Sequence, residues 1–249
     1  MQIDLTGKRA LIAGSSRGIG FAMAQTFARA GAHVAICART DGPLQEAAKK
    51  LRTHGHTVSA HRCDLSDADA IQAWVEQAAS DLGGIDILVN NASGFGRSDD
   101  ELGWSLGIQV DLMATIRACH AAYPHLEKQG GSIIHITSTA GMKASVRNPP
   151  YGAVKAAINQ HAKTQALALA SKGIRVNCIS PGSIFFEGGV WDQAKQNNPK
   201  LYEATLARIP TGRYGTPQEV ANVAAFLASD LASWVTGQNI AVDGAQLLS

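Results

Sequence analysis

Tyr151 and Lys155 stand four residues apart, in Tyr-Gly-Ala-Val-Lys, within a stretch of helical periodicity. On a helix that spacing puts both side chains on one face, with an ammonium beside a phenol. A free phenol titrates near ~10 and is a poor proton donor or acceptor at neutral pH. A neighbouring cation favours the phenolate. A phenol tuned in this way can pass a proton to or from an oxygen that interconverts between carbonyl and alcohol. Taken alone, such a pair is commonly a solvated helix surface. Ser138 adds to it. It follows the apolar run Ile133–Thr137, where a parallel strand delivers residues to the crevice at the carboxyl edge of a sheet. Its hydroxyl can hold the same oxygen.

A second constellation is Gly14-Ser15-Ser16-Arg17-Gly18-Ile19-Gly20, between an apolar run and a helical pattern. The three glycines permit a tight turn and close approach of backbone to a ligand. The following helix N-terminus offers free N–H groups and partial positive charge, which suits a pyrophosphate. The strand and helix that such a motif requires are both present. No Gly-Lys-Ser/Thr follows, which excludes a P-loop nucleotide hydrolase. Where the second strand ends, dinucleotide folds that use NAD commonly carry an acidic residue for the ribose 2′-hydroxyl. This chain has Ala38-Arg39-Thr40 there. The fork of Arg39 matches a 2′-phosphate, and Arg17 adds a second positive charge. NADP(H) is therefore the expected cofactor, with NAD(H) left open.

These residues need elements to hold them. Runs rich in Ile, Val, Leu and Ala cover Arg9–Ala13, His33–Ala38, Thr57–Cys63, Asp86–Asn90, Ser132–Thr137, Ile174–Ser180 and Asn239–Val242. They are nearly continuous rather than alternating, as in parallel strands buried on both faces. Between them lie helical patterns at Gly18–Ala30, Pro43–Thr53, Asp67–Leu82, Leu106–Lys128, Tyr151–Lys172 and Pro217–Ser229. Ser66-Asp67 and Thr216-Pro217 read as helix starts, and Gly31 and Gly55 as helix stops. The alternation predicts an α/β fold, a doubly wound parallel sheet of about seven strands with helices on both faces. With no linker or repeat, a single domain over 1–249 is expected. Phe185–Arg208 breaks the rhythm with Phe185, Phe186, Gly188, Gly189 and Trp191. The expectation is a substrate lid at about 184–208.

Composition excludes several functions. A net charge of +2 leaves no electrostatic footprint for nucleic acid or an anionic membrane. A hydrophobic fraction of 45% excludes wholesale disorder. Cys37, Cys63, Cys119 and Cys178 form no Cys-x-x-Cys pair and read as buried thiols. His54, His56 and His61 lack ligand-spaced partners, so no metal is expected. No apolar stretch reaches the ~20 residues that span a bilayer, and Met1–Gly7 has no apolar signal region. A cytoplasmic protein acting on a small molecule is expected.

The motifs together resemble the classical short-chain dehydrogenase/reductase family over essentially the whole chain. They are the glycine turn, Asp64-Leu65, Asn90-Asn91-Ala92, Ser138, Tyr151-x-x-x-Lys155, Pro181-Gly182 and Thr236-Gly237 through Asp243-Gly244, in the family's order. The resemblance implies a Rossmann-type fold and an NAD(P)-linked reaction at a carbonyl or secondary alcohol. Tyr151 would be the general acid/base, Lys155 its electrostatic partner and a ribose ligand, and Ser138 the holder of the substrate oxygen. Gly14, Ser16, Arg17, Gly18, Ile19 and Gly20 would bind the dinucleotide, and Arg39 its 2′-phosphate. Asp64 and Leu65 would border the adenine, and Asn91 and Ala92 the adenosine. Pro181, Gly182 and Ile184 would line the nicotinamide. Phe95, Arg97, Phe186 and Trp191 are expected beside the substrate. The Tyr–Lys spacing speaks against the enoyl reductase branch.

The chain departs from the pattern in places. Ala13 replaces a usual Thr, and Phe186 stands where a Thr often contacts the carboxamide. Ser93 replaces the Gly of Asn-Asn-Ala-Gly, as in pteridine reductase-like members. Asp111 takes the position of an Asn thought to act through its main-chain carbonyl, which holds a water beside the lysine. A carboxylate there opposes the effect of Lys155 on the phenol. Substrates left open are 3-oxoacyl thioesters, pterins, cyclic alcohols and sugars. Lys128 and Lys172 stand where a carrier-protein patch would form. A reading of another class is a non-catalytic NADP-binding sensor. The alanines of Ala153–Ala170 permit close helix packing, and family members pair such helices, so a homotetramer or homodimer is expected.

Overall fold

The computed structural model describes residues 3–249. In chain order the elements are β1 (Arg9–Ala13), α1 (Gly18–Arg29), β2 (His33–Ala38), α2 (Asp41–Arg52), β3 (Val58–Arg62), α3 (Ala68–Leu82) and β4 (Ile87–Asn90). Then follow α4 (Glu101–Leu106), α5 (Ala114–Leu126), β5 (Gly131–Ile136), α6 (Pro149–Leu169) and β6 (Ile174–Pro181). The chain closes with α7 (Val190–Asn197), α8 (Pro199–Leu206), α9 (Pro217–Ala228) and β7 (Asn239–Val242). The strands form one parallel sheet in the order β3-β2-β1-β4-β5-β6-β7. Strand order reverses between β1 and β4, so a crevice opens beyond their carboxyl ends. The glycine turn leaves β1 there, Asn91 leaves β4, and Ser138 follows β5.

Why the strand sequences are continuously apolar is visible in the two cores. Along β1, Ile12 packs with Met23, Phe27, Ile36, Leu44 and Val220 on one side. Leu11 packs with Trp74, Val75, Cys119, Ile133 and Val176 on the other. Side chains alternate across a strand, and helices cover both faces, so both parities are mainly apolar. All four cysteines are buried free thiols. The helix starts follow from local chemistry. The Asp67 carboxylate accepts from the N–H groups of Asp69 and Ala70 at 2.9 and 3.2 Å. Thr216 and Glu219 cap each other reciprocally at the head of α9. Gly31 and Gly55 follow α1 and α2 with φ of +99° and +82°.

Three helix starts differ from the sequence reading by two residues or more. The helix expected from Leu106 begins at Glu101, where the Asp100 side chain accepts from the Gly103 N–H at 2.7 Å. It then runs through a π-helical stretch, Gly107–Met113, into α5. Gly103 and Gly107 lower helix propensity and hide this start from a periodicity argument. The helices α2 and α6 each start two residues early, α6 on a proline that suits a first helical turn. The 184–208 segment is two short helices. Asn198 joins them, and its side chain accepts from the Leu201 N–H at 3.2 Å.

A buried polar chain lies on one face of the sheet. His135 lies 3.2 Å from the Asn90 amide through Nδ1 and 2.9 Å from the Gln165 carbonyl oxygen through Nε2. A neutral ring with its proton on Nε2 satisfies both. Burial pushes the His135 pKa down to about 4. The unfolded ring titrates near ~6.5, so the unfolded state takes up a proton first as pH falls. Stability is thus expected to drop by up to about 3 kcal/mol between pH 6.5 and 4 from this group. Urea unfolding at several pH values should show a shallower acid slope in His135→Asn. Parallel slopes would contradict it.

Candidate active site

Tyr151 is half-buried in the first turn of α6, and Lys155 is one turn further into the protein. The Lys155 ammonium lies 5.6 Å from the centre of the Tyr151 ring. It donates to the Ile136 carbonyl, at the end of β5, at 3.0 Å. Its charge is met by the Asp111 carboxylate at 2.9 Å, with the two side chains 3% and 0% exposed. The approach to Oδ1 is an ion pair off the hydrogen-bond angle, and no other group bonds that oxygen. The second oxygen accepts from the Gly94 N–H at 2.8 Å. Burial alone would pull the Lys155 pKa down. The facing Asp111 carboxylate, with Tyr151 adding, more than reverses this and holds it above its ordinary value. The main-chain carbonyl of Asp111 accepts from the Thr115 hydroxyl at 2.7 Å.

The loop after β4 closes over the same group. The Ser93 hydroxyl accepts from the Phe95 N–H at 3.1 Å. Phe95 has φ of +50°, a conformation side-chain-bearing residues seldom adopt. Its ring stacks on Tyr151 at 6.2 Å with 14° between planes. Arg97 lies over the Phe95 ring at 5.4 Å. Ser138 caps a short 3₁₀ turn, Thr139–Gly141, its hydroxyl oxygen accepting from the Ala140 N–H at 3.1 Å. The hydroxyl proton remains to be donated. Tyr151, Lys155, Asp111 and Phe95 are therefore brought together, and Arg97 joins them through Phe95.

The dinucleotide side is built on the turn after β1. Gly14 has φ of +70°, and a Cβ there would lie 2.9 Å from the Cα and Cβ of Ala92. The Asn91 amide donates to the Gly14 carbonyl at 2.7 Å, so Asn91 and Ala92 brace the turn. Gly18 has φ of +59°, and a Cβ there would meet the Phe186 ring at 2.6 Å. A turn with glycine at its most crowded positions, ahead of a helix N-terminus, fits a pyrophosphate. Phe186, expected beside the substrate, packs on this turn instead. Trp191 packs on Tyr214 at 5.3 Å, within an aromatic group that includes Phe185 and Tyr202. Arg17 is exposed and makes a long 3.5 Å contact with the Gly188 carbonyl. Ser16 and Ile19 are half-buried on the turn.

At the outer edge Arg39 is exposed, and the Arg62 side chain donates to its carbonyl at 3.1 Å. Asp64 accepts from the N–H and hydroxyl of Ser66. These bonds, with Arg39 and Arg62 adding, hold its carboxyl below the ordinary value. Leu65 is buried beside it. Arg62 was missed in the sequence because it sits inside a strand pattern. Its only signal is its place at the strand's carboxyl end. Pro181 ends β6, the Gly182 N–H donates to the Val242 carbonyl at 3.0 Å, and Ile184 bridges to Gly215.

Known proteins bear on this arrangement. A family profile described as Enoyl-(Acyl carrier protein) reductase matches residues 13–245. Isoepoxydon dehydrogenase patN of Penicillium expansum is 39% identical over 96% of this chain and 95% of its own. The 3-oxoacyl-[acyl-carrier-protein] reductase FabG of Chlamydia trachomatis is 38% identical, covering 96% and 97%. The crystal structure of L-sorbose reductase from Gluconobacter frateurii, complexed with NADPH and L-sorbose, superposes with a TM-score of 0.91. Its sequence is 33% identical, with 100% of both chains covered.

Asp111→Asn separates the charge of the pair from its scaffold, because an amide oxygen can still accept from Gly94. Without the carboxylate, the main counterweight to burial is gone and the Lys155 proton leaves at lower pH. The alkaline limb of the pH–rate profile for ketone reduction is expected to move down by roughly one unit or more. Superimposable profiles would show that the pair carries no charge coupling.

Proposed function

The chain belongs to the short-chain dehydrogenase/reductase family, and from that premise we propose that it interconverts a ketone and a secondary alcohol with NADP(H), Tyr151 handling the proton. The observation that carries this is the buried, ion-paired Lys155 ammonium set against the Tyr151 ring. The bound dinucleotide supplies or takes the hydride. Gly14, Gly18, Gly20 and the N–H groups of Ser16 and Ile19 hold its pyrophosphate. Arg39 takes the 2′-phosphate, with Arg62 bracing its backbone and Arg17 adding charge. Asp64 and Leu65 border the adenine, Asn91 and Ala92 the adenosine, and Pro181, Gly182 and Ile184 the nicotinamide. In reduction Ser138 donates its free O–H to the substrate oxygen. Tyr151 gives that oxygen its proton, and Lys155 stabilises the charge left behind and holds the ribose.

A 3-oxoacyl thioester is one candidate substrate, supported by the FabG likeness. Lys172 contributes little to a carrier-protein patch, because it pairs with Glu127. The helices α7 and α8, with Phe185 and Trp191, serve as the lid over the site. On α6 the alanines divide. Ala162 and Ala166 face the core, whereas Ala153, Ala156, Ala157 and Ala168 are exposed, with Leu167 85% exposed among them. That small-residue face supports a homodimer or homotetramer. Among the described residues no helix is long and apolar enough to cross a membrane.

A panel of ketones and alcohols assayed with NADPH and NADP⁺ tests the reading. Tyr151→Phe is expected to lose roughly 10²- to 10⁴-fold in kcat. Nucleotide binding without turnover, unchanged by this substitution, would identify a sensor instead. Arg39→Ala is expected to cut the preference for NADPH over NADH about tenfold or more, as loss of a charge-assisted bond implies. An unaltered ratio would place the 2′-phosphate elsewhere.

A further inference from the structure

A cavity of about 270 Å³ is lined by the stretch of chain that joins Ser138 to Tyr151. One wall is Thr139 and Ala140, the residues that follow Ser138. A second is the loop Lys143–Arg147, which leads directly into the first turn of α6 and Tyr151. The third is the end of α8, with Thr205 and Arg208, and Gln246 completes it. Three cationic side chains, Lys143, Arg147 and Arg208, therefore line one small space. No carboxylate side chain lines it.

Five of the chain's cations, Lys8, Arg9, Lys155, Lys172 and Arg213, face a carboxylate. Among the described residues Lys143, Arg147 and Arg208 form no such pair. Lys143 is placed as well as charged, since its ammonium donates to the Gln246 carbonyl at 2.7 Å and keeps two protons free. The Gln246 side chain is itself fixed by the N–H and hydroxyl of Ser183. Like charges around a concave wall repel one another and raise the local concentration of anions. A neutral substrate would leave that repulsion in place, whereas an anion relieves it.

We propose that this cavity binds the anionic end of the substrate, so that the enzyme acts on carbonyl or hydroxy compounds carrying a carboxylate or phosphate away from the reacting carbon. Lys143 supplies a fixed point charge, and the Arg147 and Arg208 forks clamp the anion's oxygens. The Thr139 hydroxyl offers a further donor. The inference rests on the proposed carbonyl chemistry at Tyr151 and names the substrate class for that site.

The test uses matched pairs with NADPH: 3-oxobutanoate, 4-oxopentanoate and 5-oxohexanoate, each against its methyl ester, and dihydroxyacetone phosphate against dihydroxyacetone. In at least one pair, kcat/KM is expected to favour the anion by tenfold or more. That preference is expected to shrink as salt is raised and to fall at least tenfold in the double variant Arg147→Gln/Arg208→Gln, each single variant falling between. The carboxylate and phosphate arms tell which anion is preferred. Equal use of both members of every pair, or a preference the double variant retains, overturns the anion site. Reduction of neutral ketones with none of the anions used overturns it too, while leaving the carbonyl chemistry standing. No turnover of any carbonyl compound overturns that chemistry, and the anion site with it.

Discussion

The ion pair between Asp111 and Lys155 is the constraint around which the site is arranged. Two charges removed from water are costly unless each finds its partners, and breaking one side of such a pair leaves the other stranded. Lys155 finds the Asp111 carboxylate and the Ile136 carbonyl. Asp111 finds Lys155 and the Gly94 N–H. Each contact belongs to a different element: α6, the end of β5, the π-helical stretch and the loop after β4. One pair thus fixes four pieces of chain relative to one another, and Tyr151 lies on top of it.

Local oddities become intelligible on these terms. A π-helical stretch inserts an extra residue per turn and re-aims the side chains it carries. Asp111 sits within it, turned inward to full burial. The Thr115 hydroxyl takes up the Asp111 main-chain carbonyl, leaving the carboxylate to meet the lysine. Ser93, a departure from the family pattern, accepts the Phe95 N–H, and Asp111 accepts that of its neighbour Gly94. Both departures secure the short loop that stacks Phe95 on Tyr151. Two substitutions that look independent in the sequence serve one piece of backbone.

Much of the fold was legible in the sequence because a two-sided parallel sheet leaves continuous apolar runs, as in His33–Ala38 and Ile133–Ile136. The glycine turn was legible because its crowding by Ala92 and Phe186 tolerates little else. The start of α4 was not, since Gly103 and Gly107 weaken the helical signal and a single Asp100 cap replaces it. Nor was the brace that Asn91 makes on the Gly14 carbonyl, which depends on β4 lying beside β1. Phe186 and Trp191 were expected beside the substrate, but their packing, one on the glycine turn and the other on Tyr214, was not legible, because both partners lie far away in the chain. Arg208 is separated from Lys143 and Arg147 by a strand and three helices, and only the chain's return through α8 gathers them.

A double-mutant cycle on stability tests the central claim most directly. Urea unfolding would be measured for the parent, Asp111→Asn, Lys155→Met and the two combined. Each single change is expected to cost about 3–5 kcal/mol, because it strands a buried charge. The combined change is expected to cost far less than their sum, with a coupling of about 2 kcal/mol or more. Losses that simply add would show that the two groups do not depend on each other, and would contradict an ion pair that organises the site.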